Sequence, residues 1–377
     1  MRLCSFQSER LGLSCMHEGL KQAPQRSQST RSRNRAALDR RTPQNARPAR
    51  PFTHLSISCR NRSKRWAQGW TCQGQKAISE ATPSYSHKSS QGTLEKKEVG
   101  WAVAATQLSE IELATLAPGA TKASEPQNFD ETWKGEIYTE SSRTVAYIKM
   151  LPSNRLISEV ACALLGHALG LNMPKPYLVR VDRADLPQSN RWLSGETSRL
   201  CFGSEDAKHP SFRRLVNPNN SANVSGARIT PFWKKLTNWA GFKRTALFDE
   251  WTANCDRNGG NVLWDGIEAW LIDHANAFTG PNWTPSDLRP DATVPNLLLD
   301  PAYIRSFSQD EKLRWKQAAG QESSRYQQLE LNTLSEKGML EDYADQDQIN
   351  GVVHFVTKRA ENFIELACNR LGIPLLI

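Results

Sequence analysis

Asp256-Arg257-Asn258-Gly259-Gly260-Asn261, with Asp273 following in Leu271-Ile272-Asp273-His274, is the stretch on which the reading of this chain turns. An Asp, an Asn five residues on and a second Asp after a short apolar run supply what phosphoryl transfer needs. One carboxylate can orient and deprotonate an acceptor hydroxyl, while an amide oxygen and a second carboxylate can hold Mg²⁺ against ATP phosphates. Asn261-Val262-Leu263-Trp264 and Ala269-Trp270-Leu271-Ile272 are short apolar runs, and the Asp265-Gly266 step between them is a favoured hairpin turn. Folding that hairpin brings Asn261 back toward Asp273, so two oxygen ligands for a hard cation converge at one end of the ribbon. Gly259 and Gly260 let the loop turn tightly without a Cβ penalty. An Asp, Asn and Gly cluster ahead of a strand is also the composition of an ordinary turn, so the reading depends on what accompanies it.

Val145-Ala146-Tyr147-Ile148-Lys149-Met150 is a β-rich run with a lysine near its end, the pattern of a strand whose ammonium meets the α- and β-phosphates; an edge-strand lysine reads the same way. Beyond it, Ser153 is placed to cap a helix whose apolar positions Ile157, Val160, Ala161, Leu164, Leu165 and Ala168 recur at helical spacing, with Gly170, Pro174 and Pro176 ending it. Glu159 lies on that helix, placed to pair with Lys149 and fix its direction. At ~100° per residue Glu159 stands roughly 160° from the centre of the apolar stripe, so a solvated helix glutamate is the competing reading.

Together these features resemble the HipA-like kinase domain. The resemblance rests on Lys149, on Glu159 in Ile157-Ser158-Glu159-Val160, on Leu169-Gly170-Leu171-Asn172-Met173-Pro174, and on the run from Phe248 through Asp249-Glu250-Trp251-Thr252-Ala253-Asn254-Cys255 to Asn261 with Ile272-Asp273-His274. The Asp-Arg start of the loop is shared with phosphatidylinositol 3- and 4-kinases, to which that family is distantly related. The similarity runs from about residue 100 to the C-terminus. It implies Asp256 as catalytic base, Asn261 and Asp273 as Mg²⁺ ligands, and Lys149, braced by Glu159, as the phosphate-binding lysine. Arg199-Leu200-Cys201-Phe202-Gly203-Ser204-Glu205 resembles the strand running into the hinge, where backbone groups from Phe202 to Glu205 would meet adenine.

Neither GxGxxG nor GxxxxGK[ST] occurs. Pro118-Gly119-Ala120-Thr121-Lys122-Ala123-Ser124 is the candidate for covering the phosphates, through Gly119 and Lys122, although a surface loop would have the same composition. The implied fold is α+β and two-lobed, like a protein kinase: a β-rich N-lobe over 99–203 and a mostly helical C-lobe over 204–377. Ile349, Val352, Val353, Val356, Ala360, Phe363, Ile364, Ala367 and Leu371 predict one long C-terminal core helix. The proline-rich stretch Asn282–Pro301 reads as a long loop where an activation or substrate segment would lie. Trp251, Trp264 and Trp270 read as core aromatics, His274 as a turn histidine bonding its neighbours, and His167 has no evident partner.

Residues 1–98 hold 19 Lys and Arg against 6 Asp and Glu, a net +13, while the remainder carries 29 against 33. Clusters such as Arg31-Ser32-Arg33-Asn34-Arg35 and Arg60-Asn61-Arg62-Ser63-Lys64-Arg65 come with no sustained apolar period. Such a composition cannot bury enough surface to offset chain entropy, so a disordered basic extension is expected. With Trp66 and Trp70 nearby, nucleic-acid binding through phosphate contacts and stacking is one reading; a nonspecific tail and an upstream extension of the true start are the plainer alternatives. No apolar leader and no membrane-length run occurs, and the eight Cys never fall at a CxxC spacing, which argues against a zinc site. The resemblance implies a cytoplasmic bacterial protein.

Three functions follow. The first is an ATP- and Mg²⁺-dependent kinase acting on a protein Ser or Thr, as a toxin with an antitoxin partner in the fullest form of the resemblance. The second is a small-molecule kinase, since nothing in the sequence marks the acceptor pocket. The third is a non-catalytic kinase-fold module whose basic tail binds nucleic acid; retention of Lys149, Asp256, Asn261 and Asp273 together weighs against it.

Overall fold

The β-branched and aromatic runs that begin at Glu112 form six strands in this computed structural model, which describes residues 105–123, 130–186, 188–216 and 233–375. The basic stretch 1–98 lies outside the described residues. The strands are β1 (Glu112–Leu116), β2 (Thr121–Lys122), β3 (Thr132–Tyr138), β4 (Arg143–Lys149), β5 (Pro176–Asp182) and β6 (Ser198–Glu205). They are ordered β1-β5-β6-β4-β3-β2, and β1 pairs a second time, with β3, so the five longer strands close on themselves. Closure leaves few unpaired edges. One face of the sheet buries its own cluster, including Leu116, Trp133, Ile137, Ile148, Val179 and Cys201.

The other face receives α1 (Ser153–Ala168). Every residue from Leu156 to Gly166 on α1 is buried, because the helix is sandwiched between the sheet and the helical remainder of the chain. A helix buried all round has no solvent side, which is why an apolar stripe is a poor guide to the place of Glu159. Pro152, rather than Ser153, occupies the N-cap, and no side chain caps this helix.

The C-terminal part is helical, built chiefly from α2 (Phe242–Trp251), α3 (Gln309–Gln327), α4 (Gln346–Glu361) and α5 (Phe363–Leu371), with one hairpin of β7 (Val262–Trp264) and β8 (Ala269–Leu271). Ser308 with Glu311 and Asp345 with Gln348 form capping boxes that start α3 and α4. The apolar stripe expected for one long C-terminal helix is divided between α4 and α5, with a break at Asn362, and the turn in direction leaves Ile364 at the surface, 37% exposed. The stretch 282–301 carries two short 3₁₀ turns at Pro285–Asp287 and Leu297–Leu299 and buries Trp283, Leu298 and Leu299, so it is anchored at several points. Trp251 and Trp264 are core residues as expected, but Trp270 is only half-buried, against His209. Among the described residues no helix is long and apolar enough to cross a membrane.

Trp251 ties the helical part together. Its ring stacks on Tyr326 of α3 at 4.2 Å, and its Nε1 donates to the Val356 carbonyl of α4 at 3.0 Å. Truncation would open a large cavity and orphan that carbonyl, so Trp251→Ala is expected to lower unfolding free energy by about 3–5 kcal/mol, as read by urea denaturation. A loss under about 1 kcal/mol would show that α2, α3 and α4 do not depend on it.

Candidate active site

Helix α2 ends at Trp251, and the loop carrying Asp256 begins just beyond it. What shapes the loop is Arg257, turned inward. It forks onto Asp249 of α2, Nε to Oδ2 and Nη2 to Oδ1, each at 3.0 Å, with both side chains fully buried. Its remaining nitrogen, Nη1, donates to the carbonyls of Asn261 (3.0 Å) and Ile272 (2.7 Å). One guanidinium thus ties the helix, the far end of the loop and the strand leading to Asp273. Asn254 adds a bond to Asp249 Oδ1 at 2.8 Å. Asp249 escaped the sequence reading as a structural residue; its signal was an acid in the midst of Ala246, Leu247, Phe248 and Trp251, where a charge has to be paired.

The Asp256 carboxylate accepts from two amides, Asn258 Nδ2 at 2.8 Å on Oδ1 and Asn276 Nδ2 at 3.0 Å on Oδ2. Asn261 Nδ2 donates to the Asp256 carbonyl at 2.6 Å, which turns its Oδ1 into the atom left for a cation. The hairpin forms as the sequence predicts, Val262 opposite Leu271, and Ile272 N donates to the Asn261 carbonyl at 3.2 Å, so Asn261 and Asp273 meet at one end of the ribbon. Neither Gly259 nor Gly260 has a positive φ. Gly260 sits in a tight place instead: a Cβ there would stand 3.0 Å from Asn258 Oδ1 and 3.1 Å from Arg213 Cζ.

Lys149, at the end of β4, bridges two carboxylates: Glu159 Oε1 at 2.7 Å and Asp273 Oδ1 at 2.8 Å. Glu159 is buried, and its other oxygen accepts the His274 backbone N–H at 2.8 Å, which fixes the direction of the carboxylate. Burial pulls the Lys149 ammonium toward the neutral form, but the charges of Asp273 and Glu159 outweigh it and hold the group above its usual range. Burial raises Glu159, only partly offset by Lys149, whereas Asp273 is held below the usual carboxylate range because Lys149, with Arg155 and Arg257, overcomes its desolvation. The Asp273 side chain keeps 31% exposure, the opening of this cluster to solvent, and its backbone sits in the left-handed region at φ 59°. Burial, with Arg257 and Lys149 close by, keeps the His274 ring neutral, in line with a structural role. His167 does have a partner, the Pro174 carbonyl at 3.2 Å.

The remaining expected site residues are placed differently. Phe202 lies opposite Lys149 in the β4–β6 register and is buried. Over Phe202–Ser204 the strand is paired with both β4 and β5, and Glu205 N donates to the Lys175 carbonyl, so the ladders occupy much of the backbone that was expected to meet adenine. Segment 206–210 is the first stretch outside the named strands and carries a left-handed residue, Lys208, at φ 58°. The Glu205 side chain accepts from Thr144 Oγ1 at 3.1 Å. Lys122 pairs with Trp133, which packs on the face opposite Lys149, and its ammonium lies 3.5 Å from Glu131. Gly119 sits in the turn before β2, so the structure brings neither Gly119 nor Lys122 to the Lys149 cluster; residues 124–129 lie outside the described residues. Among the described residues no group of three or more His, Cys, Asp or Glu is arranged to hold a metal ion alone. Mg²⁺ bound against phosphates needs only one or two protein carboxylates, so an amide oxygen from Asn261 with Asp273 fits a cation shared with a nucleotide.

The Arg257 fork sets a clear energetic contrast. Asp249→Asn leaves a fully buried guanidinium without its counter-charge, an expected loss of about 3–5 kcal/mol in unfolding free energy. Asp256→Asn, on a half-buried residue, sets its own NH₂ against one of the two donating amides and loses that bond, an expected cost of about 1–2 kcal/mol. Comparable losses in the two variants, measured by urea denaturation, would show that Asp249 does not carry the loop.

Residues 144–284 match the family model described as HipA-like kinase. Comparison with curated proteins gives no match. Among solved structures, the crystal structure of the Helicobacter pylori proinflammatory kinase CtkA aligns over 68% of this chain and 97% of its own, at 12% identity and a TM-score of 0.43. Lys149, Glu159, Asp256, Asn261 and Asp273 all lie inside the segment that matches the HipA-like kinase model.

Proposed function

We propose that the domain transfers the γ-phosphoryl group of ATP to a Ser or Thr hydroxyl of a protein, with Mg²⁺ as cofactor. The observation that carries this reading is the bridging of Lys149 between Glu159 and Asp273, on the same short loop system that holds Asp256 between two amides. Glu159, buried and bonded on both oxygens, keeps the lysine pointed outward. Asp273, the more exposed partner, is the one from which Lys149 would turn toward phosphate oxygens. Asp256 would accept the proton of the acceptor O–H as its oxygen bonds to the γ-phosphorus and the bond to ADP breaks; the proton then passes to solvent. Asn261 and Asp273 would hold Mg²⁺, which supplies offsetting positive charge to the phosphates when bound. In this reading 99–203 and 204–377 are the two lobes of a kinase, and segment 206–210, at the start of the second, is where adenine would lie.

Label from γ-labelled ATP, incubated with Mg²⁺, the purified protein and cell lysate, is expected on polypeptide. Label confined to small solutes would replace the protein acceptor by a small molecule. Asp256→Asn should retain nucleotide affinity while transfer falls by ~10²-fold or more. Asp273→Ala should abolish Mg²⁺-dependent turnover, and Asn261→Ala should weaken it, since a neutral ligand contributes less. Wild-type turnover in Asp273→Ala would remove the metal assignment. For a toxin held in check by an antitoxin, expression of the wild type should arrest growth and Asp256→Asn should not.

A further inference from the structure

Asn276 lies three residues past Asp273 and belongs to none of the motif positions, yet its side chain reaches the carboxylate expected to do the chemistry. Its Nδ2 donates to Asp256 Oδ2 at 3.0 Å, and its Oδ1 accepts from Arg155 Nη2 at 3.3 Å. A guanidinium only donates and a carboxylate only accepts, so this amide has a single orientation that satisfies both neighbours. Arg155 is itself fixed. Two of its nitrogens fork onto Asp130, Nη1 to Oδ1 and Nη2 to Oδ2, each at 2.5 Å, and its Nε reaches the Ala275 carbonyl at 3.5 Å. Asp130 immediately precedes Glu131 and β3, whose first residue, Thr132, pairs with Lys149. A continuous line of polar contacts therefore runs from the sheet, through α1, to Asp256.

We infer that Asn276 is a positioning residue that sets the orientation of the Asp256 carboxylate toward the acceptor hydroxyl, and that the Asp130–Arg155 pair holds the Asn276 amide in its donating orientation. This rests on the proposed role of Asp256 as base. The physical reason is that a carboxylate on a loop rotates freely about its last torsion unless both oxygens are engaged. Asn258 engages one from within the loop, and Asn276 engages the other from the segment beyond Asp273. Orientation of a reacting group is worth large factors in rate even where affinity is unchanged. Asp130 has a second effect. Its fork occupies the guanidinium, which lies one amide away from the base and would otherwise be drawn to it, burying the carboxylate in an ion pair.

The test uses the full chain with γ-labelled ATP and Mg²⁺, reading phosphate released to water or transferred to the protein itself. Asn276→Ala is expected to lower kcat by ~10-fold while KM for ATP changes less than ~2-fold, because the Lys149 cluster is untouched. Asp130→Asn should lower kcat by ~3-fold or more, again with KM for ATP unchanged, and the double variant should be no slower than Asn276→Ala alone. Unchanged kcat in Asn276→Ala, with an active wild type, overturns the assignment, and a multiplicative loss in the double variant overturns the route through Asp130. If the wild type neither binds nor turns over ATP, the kinase reading fails instead. The crystal structure of Asn276→Ala then decides the positioning role by itself: Asp256 should turn from its wild-type orientation or occupy more than one, and a single unchanged orientation overturns the inference.

Discussion

The buried pair of Arg257 and Asp249 is the constraint on which the site depends. A guanidinium in a dry interior is costly unless its nitrogens are paired, and this one is satisfied by a carboxylate on α2 and by carbonyls at Asn261 and Ile272. Those four bonds set the distance between the end of α2, the loop and the hairpin. Asp256, next to Arg257 in the chain, keeps its carboxylate away from that pair and between the Asn258 and Asn276 amides. Burial of the arginine leaves the aspartate beside it half-buried, with its two carboxylate oxygens held by Asn258 and Asn276.

Lys149 joins the β-rich region to this loop system. It lies at the end of a strand, Glu159 lies on a helix packed against that strand, and Asp273 follows the hairpin. Each contact crosses between separate elements, so the cluster exists only once the sheet, α1 and the hairpin are in place. The core around α1 supplies that rigidity, since its side chains belong to one apolar cluster with α2, α3 and α4. Small displacements of α1 would be felt at the ion pairs because close-packed interiors transmit them.

Backbone strain is concentrated around the same place. Ala253, Asp273, Phe278 and Thr279 all have positive φ, a conformation that costs side chains other than glycine free energy. They are held by bonds from Phe278 N to the Thr252 carbonyl (2.9 Å) and from Thr279 N to the Ala253 carbonyl (3.3 Å), which lash the segment after Asp273 to the end of α2. Arg359 of α4 reinforces the junction from behind, donating to the carbonyls of Trp251, Pro290 and Ala292 at 2.7 to 2.9 Å. Strain at the site is thus balanced by bonds to the helical core rather than relieved locally.

The sequence by itself determined the local features: strands β4 and β6, the hairpin, the helix carrying Glu159, and the run of carboxylate and amide residues from Asp256 to Asp273. All of these are written in short-range patterns of apolar period, turn residues and charge. It also misled where the pattern was local but the cause was not. The solvated reading of Glu159, the single C-terminal helix and the backbone of Phe202–Glu205 as an adenine contact each assumed that an element's surroundings follow from its own residues. Tertiary structure decided otherwise, by covering α1 on every side, by turning the chain at Asn362 and by flanking β6 with two strands. Asn276, Arg155 and Asp130 were illegible for the same physical reason. Their roles depend on partners up to 121 positions away along the chain, as for Arg155 and Asn276, and one sequence carries no record of which distant residues will meet.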